Sequence, residues 1–355
     1  MVIQHKCNNC GADMIFNAET GMLYCESCGT NIDISQMNME QQTQNTFNEF
    51  VSTASESTYG NDEATQYQCK NCGAVLITDN DTSATTCSFC GAAMILGDRL
   101  TGELAPTKVI PFTISKEQAQ EAFKKWCKKG LVTPKGFMSA NRIKSITGMY
   151  VPFWLFDLEG DGEYFSNCTK VRSYTQGDYR ITETKHYDVY RHVNLHYNKI
   201  PVDASEKMDD LLMDKLEPFD YNNLQTFQTP YLSGYIAEKY NFTDEQLYPR
   251  VKQRTEEYMK DYVRDTMREY SSNTFVRQSV DIRPKNTYYT LLPVWMLCYN
   301  YEKNDYTFAM NGQTGKIVGK PPISKGKVFT LWGILGILLF VIVKVIAYLI
   351  GGVWL

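Results

Sequence analysis

Eight of the chain's eleven cysteines fall into two copies of one pattern. Cys7-Asn-Asn-Cys10 is followed, after fourteen residues, by Cys25-Glu-Ser-Cys28. Cys69-Lys-Asn-Cys72 is followed, after the same interval, by Cys87-Ser-Phe-Cys90, each cysteine lying 62 positions after its counterpart. A glycine follows every pair, at Gly11, Gly29, Gly73 and Gly91. Two C-x2-C knuckles joined by a short hairpin place four thiolates around one tetrahedral Zn²⁺. The spacing therefore predicts two structural zinc ions in two ribbons, over residues 1–34 and 67–98. The glycines fit, because φ > 0 lets the backbone turn its N–H groups toward the sulfurs. Both sets are closed, with no open coordination position for catalysis.

A disulfide framework would need an oxidising compartment, and the N-terminal Met1-Val-Ile-Gln-His-Lys6 has no apolar signal-peptide core. Within ribbon 1, Met14-Ile-Phe16 and Met22-Leu-Tyr24 predict a hairpin turning at Thr20-Gly21. In ribbon 2, Val75-Leu-Ile77 leads to a turn at Asp79-Asn-Asp81. Modules with so little apolar core depend on metal to fold, so Cys69→Ser is expected to unfold the second ribbon alone. Cys127, Cys168 and Cys298 lack a partner at this spacing and read as unliganded thiols.

At the other end, residues 328–355 carry a single charge, Lys344. About 20 apolar residues cross a bilayer as a helix, so residues 328–350 are expected to span one. Lys316, Lys320, Lys325 and Lys327 precede the span, and the positive-inside rule then puts the N-terminal head in the cytoplasm. The expectation is a single-pass, tail-anchored protein of the cell membrane, its thiols kept reduced for zinc.

Zinc ribbons suggest nucleic acid, but charge argues otherwise. Residues 1–98 hold two basic side chains, Lys6 and Lys70, against twelve acidic ones. Each tetrathiolate centre adds a net charge of about minus two. Phosphate neutralisation needs Lys and Arg, which these ribbons lack, so nucleic acid is an unfavoured partner and protein docking the better reading. Residues 35–66 form a polar acidic linker, expected to be disordered with a short amphipathic turn around Phe47, Phe50 and Val51.

Residues 99–322 read as a β-rich α+β domain, so the fold class is α+β with ribbons in front and an anchor behind. Lys108–Phe112 predicts a strand. Ser115 and Gln118 form a capping box opening a helix that stops at Gly130. Its apolar face holds Ala119, Ala122, Phe123, Trp126 and Cys127; Lys124, Lys125, Lys128 and Lys129 lie opposite, facing solvent, anionic lipid or an acidic partner. Tyr150–Phe156 predicts a strand turned by Glu159-Gly-Asp-Gly162, returning at Tyr164-Phe165. Leu292–Leu297, a turn at Glu302–Asp305 and a return at Tyr306–Phe308 look alike, with Pro152 and Trp154 matching Pro293 and Trp295. A duplicated hairpin is therefore expected, followed by a third turning at Asn311–Gly315. Ile181–Ile200 alternates as a strand with Tyr187, Val189, Val193, Leu195 and Tyr197 on one face. His186, Asp188, His192 and His196 take the other, and His192 and His196, about 13 Å apart on a strand, cannot share an ion. Helices are expected from Asp203 to Leu216, presenting Met208, Leu211, Leu212 and Leu216, and from near Pro249 to about Tyr270. The second has Val251, Tyr258, Tyr262 and Val263 inward.

No phosphate loop, nucleophile elbow or H-E-x-x-H motif occurs, and a non-enzymatic role is expected. Several longer segments carry a resemblance: Cys69–Ile77, Thr86–Cys90, Ala105–Ser115, Phe123–Gly130, Ile200–Lys207 and Asn311–Lys316. With them the chain resembles, over almost its whole length, the YdjG-like family. These are tail-anchored double zinc-ribbon membrane proteins of the bacillus envelope-stress operon that also encodes a PspA-type phage-shock protein. Relatives are often labelled TFIIB-type zinc ribbons or phage replisome organisers. The resemblance implies a membrane adaptor that, with a sister membrane protein, recruits PspA-type and SPFH-domain proteins. The competing function is a nucleic-acid-associated replication or transcription protein.

Overall fold

In the computed structural model the described residues are 1–35, 64–130, 132–134, 137, 146–301 and 304–349. The linker turn expected around Phe47 lies outside them. Ribbon 1 contributes β1 (Val2–Ile3), β2 (Ile15–Asn17), β3 (Met22–Tyr24) and β4 (Asn31–Ile32); β2, β3 and β4 form a small sheet of their own. Ribbon 2 contributes β5 (Ala64–Gln68), β6 (Val75–Asp79), β7 (Thr82–Thr86) and β8 (Ala93–Leu96). The hairpin of ribbon 1 and the turn at Asp79–Asp81 form where expected, the latter tied by the Asp79 carboxylate accepting from the Asp81 and Thr82 N–H groups.

The body follows with β9 (Lys108–Val109), α1 (Lys116–Lys129), β10 (Thr147–Gln176) and β11 (Tyr179–Asp203). Then come α2 (Asp210–Lys215), β12 (Gln225–Thr226), β13 (Ile236–Glu238) and α3 (Asp244–Asp265). The chain continues through β14 (Ser272–Tyr301), β15 (Asn304–Asn311), β16 (Ile317–Gly319) and α4 (Lys325–Leu349). Eleven strands make one sheet with the order β1-β8-β7-β13-β10-β14-β15-β16. β11 lies against β10, and β9 and β12 are appended beside β14.

β10 is the spine. Its thirty residues span roughly 100 Å at about 3.3 Å per residue. It pairs antiparallel with β14 from Thr147 to Thr169 and with β11 from Phe153 to Gln176. The β10–β11 ribbon thus runs on past the end of β14 to its turn at Gly177, whose φ of 61° suits glycine. The expected turn at Glu159–Gly162 is wrong: these residues continue the strand. Gly160 and Gly162 point toward α3, where a Cβ on Gly160 would stand 2.6 Å from the Met259 sulfur and one on Gly162 3.0 Å from its methyl. The glycines make room for a helix instead of bending a chain. β10 is irregular at two other places: its register with β14 shifts between Phe165 and Ser166, and a bulge lies beside Asp157, where Lys199 adopts φ 58° and its N–H donates to the Asp157 carboxylate at 2.9 Å.

Along β11 the two faces fall as expected, with His186, Asp188, His192 and His196 exposed. His192 meets Asp161 of β10 at 3.1 Å. Other boundaries differ. The strand at Lys108 ends at Val109. The segment from Asp203 starts as the end of β11, and its helix waits for Asp209, whose carboxylate caps the Leu212 N–H; Leu211 is exposed. α3 begins at Asp244, not Pro249, because Thr243 and Gln246 form a capping box there, and it ends at Asp265. Its buried stripe is Leu247, Val251, Thr255, Met259 and Val263, packed on the arm, while Tyr258 and Tyr262 are exposed. The capping box of α1 and its stop at Gly130 are as expected.

Pro152 and Pro293 lie on strands that are sheet neighbours, and each following Trp donates its ring N–H to a backbone carbonyl, Trp154 to Phe242 and Trp295 to Ile114. β15 returns along β14 with Tyr301 opposite Asn304, while residues 302–303 of the expected turn lie outside those described. The hairpin at Asn311–Gly315 is held by the buried Asn311, whose Oδ1 accepts from the Gln313 and Thr314 N–H groups. A Cβ on Gly312 would strike the Phe112 ring, the hub of an aromatic cluster that stacks on Tyr235 at 4.2 Å and meets Tyr150 and Trp295 edge-on.

Gly160→Val should overpack the arm against Met259 and cost about 1–3 kcal/mol. Adding Met259→Ala should recover part of that loss in a chemical-denaturation double-mutant cycle; additive losses would show that the glycine makes no room for the helix.

Candidate metal centres

Four knuckles repeat one backbone geometry. In each, the first cysteine's N–H donates to a carbonyl five residues on: Cys7 to Ala12, Cys25 to Thr30, Cys69 to Ala74 and Cys87 to Ala92, at 2.8–2.9 Å. The glycine N–H closes back on the same cysteine's carbonyl. Those glycines, Gly11, Gly29, Gly73 and Gly91, sit at φ 75–77°, which L-residues avoid. The sequence therefore places glycine where the chain must bend left-handed to aim two thiols at one point.

The knuckles meet in pairs. Cys7, Cys10, Cys25 and Cys28 bring their sulfurs within 4.8 Å of one another, as do Cys69, Cys72, Cys87 and Cys90. Individual separations are 3.6 Å (Cys7–Cys28), 3.4 Å (Cys10–Cys25), 3.8 Å (Cys69–Cys90) and 3.7 Å (Cys72–Cys87). Sulfurs at about 2.3 Å from a tetrahedral Zn²⁺ lie about 3.8 Å apart, so both sets fit that ion. None of the eight forms a disulfide. In each set two thiols are buried and two face solvent.

Donors that spacing did not reveal surround the sulfurs. The Thr30 hydroxyl lies 3.0 Å from Cys28 Sγ, the Asn71 amide 3.7 Å from Cys90 and the Gln4 amide 3.9 Å from Cys69. The Thr30 hydroxyl and N–H bring Cys28 down to about 6. The Ala92 N–H does the same for Cys90. Cys10 and Cys72 stand at about 11 and about 12: the Ala12 and Ala74 N–H groups act to lower them, but neighbouring sulfurs outweigh that. A cation is needed to ionise all four together, and a Zn²⁺ held by the four sulfurs would supply that charge and fix the fold. The other cysteines are apart: Cys168 is buried against Met267, Cys127 is half-buried and raised to about 11 by burial, and Cys298 is exposed.

Both ribbons are stitched to the body. β1 pairs with β8, joining the first residues of the chain to ribbon 2, and β7 pairs with β13, joining ribbon 2 to the spine. Phe16 of ribbon 1 donates its N–H to the Ser233 carbonyl at 2.9 Å and packs its ring on Tyr231 and Tyr235. The Asp79–Thr82 turn is gripped from outside. Lys207 reaches Asp79 at 2.6 Å, Asp81 at 3.4 Å and Glu238 at 3.9 Å, while Arg99 donates to the Asp79 and Thr82 carbonyls. Four residues before Lys207, Asp203 is fully buried; Oδ1 accepts from the Ser205 N–H and Oδ2 has no hydrogen-bond partner among the described residues. Burial pushes this carboxyl up to about 7.

Closed four-cysteine clusters on a β-rich α+β head, followed by one apolar helix long enough to span a bilayer, are consistent with the class of double zinc-ribbon proteins anchored in a membrane. α4 covers about 37 Å at about 1.5 Å per residue, with its apolar side chains exposed from Phe329 through Ile346. The chain belongs to the YdjG family: it is 54% identical over 352 residues to the uncharacterized protein YdjG of Bacillus subtilis (strain 168), covering 99% of each chain. No family model and no solved structure matches it.

Purified full-length chain should hold two zinc ions, counted by metal analysis. Cys69→Ser should lose one and also lower the melting of the whole head by about 5 °C or more, because ribbon 2 shares strands with the body. Melting unchanged outside ribbon 2 would show that it folds by itself. For Asp203, the folded state keeps the proton between about pH 4 and 7 while the unfolded chain loses it, so stability falls across that window. Asp203→Asn should leave stability unchanged at pH 4 and raise it by about 4 kcal/mol at pH 8, read from denaturation curves at both pH values.

Proposed function

We propose that this protein is a non-enzymatic membrane adaptor, whose metal-locked head docks partner proteins at the bilayer surface. The observation that carries the reading is the joining of a single spanning-length helix to a head that presents a long sheet arm. The exposed outer edge of that arm, β11, pairs only with β10 among the described residues. Ribbon 2 adds exposed apolar side chains, Val75, Ile77 and Phe89, on an acidic module. An unpaired edge and a scatter of apolar side chains are features that protein partners recognise.

Resemblance supplies the partner classes: a sister membrane protein, PspA-type proteins and SPFH-domain proteins in an envelope-stress response. The lysines before α4 favour a cytoplasmic head in a single-pass protein of the cell membrane. The eight cysteines hold two structural Zn²⁺ ions, and the acidic ribbons disfavour nucleic acid.

Crosslinking the full-length protein in intact membranes, with identification of the captured chains, tests this reading. Recovery of the partner classes above, lost when β11 is capped by Val189→Pro, supports it. Recovery of DNA-replication proteins alone, or of no partner, overturns it.

A further inference from the structure

The segment that follows α1 and the base of the spanning-length helix are far apart in sequence but in contact in the fold. α1 ends at Gly130, whose N–H donates to the Cys127 carbonyl, and a tight turn follows in which the Thr133 N–H donates to Gly130. That turn receives the start of α4. The Ser324 N–H donates to the Val132 carbonyl at 2.7 Å, and Lys327 Nζ donates to the Thr133 carbonyl at 2.7 Å. Ser324 in turn caps α4, its carbonyl accepting from Val328, the first residue of the apolar run.

Two contacts therefore pin the C-terminal end of α1 beside the place where α4 enters hydrocarbon. Ser324 and Val328 are one helical turn apart, about 6 Å along the axis. The headgroup zone on each side of a bilayer is about 5–8 Å thick. With Val328 at the hydrocarbon edge, the residues that follow α1, Val132 and Thr133, would sit at headgroup depth.

The orientation of α1 is fixed by what it buries. Ala119 and Phe123 are fully buried and Trp126 packs edge-on against Phe308 at 5.6 Å, so the opposite face is outward. That face carries Lys124, Lys125 and Lys128, all three exposed. Lys125 has a solvent-exposed contact with Glu121 at 3.8 Å, a pair worth little in water. Lys124 and Lys128 have no ion pair among the described residues. Lys320 just before α4 and Lys325 at its start, both exposed, add cationic charge at the base of the anchor.

We propose that the outward face of α1 binds the anionic headgroups of the same bilayer that α4 crosses, giving the head a second membrane contact and one fixed attitude on the surface. Long lysine stems suit this role, since they lie along the interface while the ammonium meets phosphate. The inference rests on the membrane-anchor part of the function proposed above and goes beyond it.

The test uses the full chain in nanodiscs of neutral phosphatidylcholine, or of phosphatidylcholine with about 40% phosphatidylglycerol, a strongly anionic surface. Acylation by a water-soluble amine reagent is followed residue by residue by mass spectrometry. Recovery of the chain with the disc reports the anchor separately. Lys124, Lys125 and Lys128 should react at least about fivefold more slowly on anionic discs, and about 0.5 M salt should abolish the difference by screening. Lys70 on ribbon 2 and Lys185 on the arm should react alike on both. Equal rates at the α1 lysines in disc-bound protein overturn the proposal, as does uniform slowing at all sites. Slowing that needs an added acidic protein, and not anionic lipid, overturns it in favour of a protein contact.

Discussion

Thirty consecutive residues of extended backbone in β10 present N–H and C=O groups that must all be paired or solvated, and the head is built around meeting that demand. β14 pairs with one side; β13 and then β11 pair with the other. Because β13 also carries β7, and β7 carries β8 and β1, one continuous ladder runs from the second residue of the chain to the spine. Backbone groups buried without partners are costly, so each link holds the next in register. Metal and sheet thus share one cooperative structure.

This sharing explains how ribbons of about thirty residues persist with so little core. Leu23, Met14 and Phe16 of ribbon 1 are fully buried, yet they belong to the same apolar cluster as Phe112, Tyr150 and Trp295 of the body. The four-cysteine sets bring the knuckles together, and the body supplies the apolar surface that the ribbons cannot bury alone. Ribbon 2 relies more on polar ties, with Lys207 and Arg99 holding the Asp79–Thr82 turn. Its β5–β6 pair leaves Val75 and Ile77 exposed.

Features governed by local chemistry were legible in the sequence. Cysteine spacing gave both four-cysteine sets, Ser115 and Gln118 gave the start of α1, and the uncharged terminal run gave the apolar helix. Features set by distant neighbours were not. Gly160 and Gly162 read as a turn because local pattern cannot show Met259 arriving from α3 to occupy the space. Pro249 read as a helix start, although the Thr243–Gln246 capping box just upstream was the better signal. The donors to the zinc-site sulfurs, Thr30, Asn71 and Gln4, carry no recognisable spacing. Nor does any sequence rule place Lys207 beside Asp79, 128 residues away.

The same spine separates two ends that differ in packing. α4 is seated near the Thr147 end of β10: its base meets the turn after α1, α1 packs on Phe308, and Phe308 pairs with Leu297 of β14, one residue along from the partner of Thr147. The exposed tip at Gly177 is the other end of that strand. Over this distance the sheet changes character. Near the anchor it is covered on both faces and carries the aromatic core; along the arm α3 covers one face; past Thr169 both faces are open and β10 pairs with β11 alone. A ribbon of two strands is marginal by itself, but this one is a direct extension of a packed sheet, so its register is set before it leaves the head.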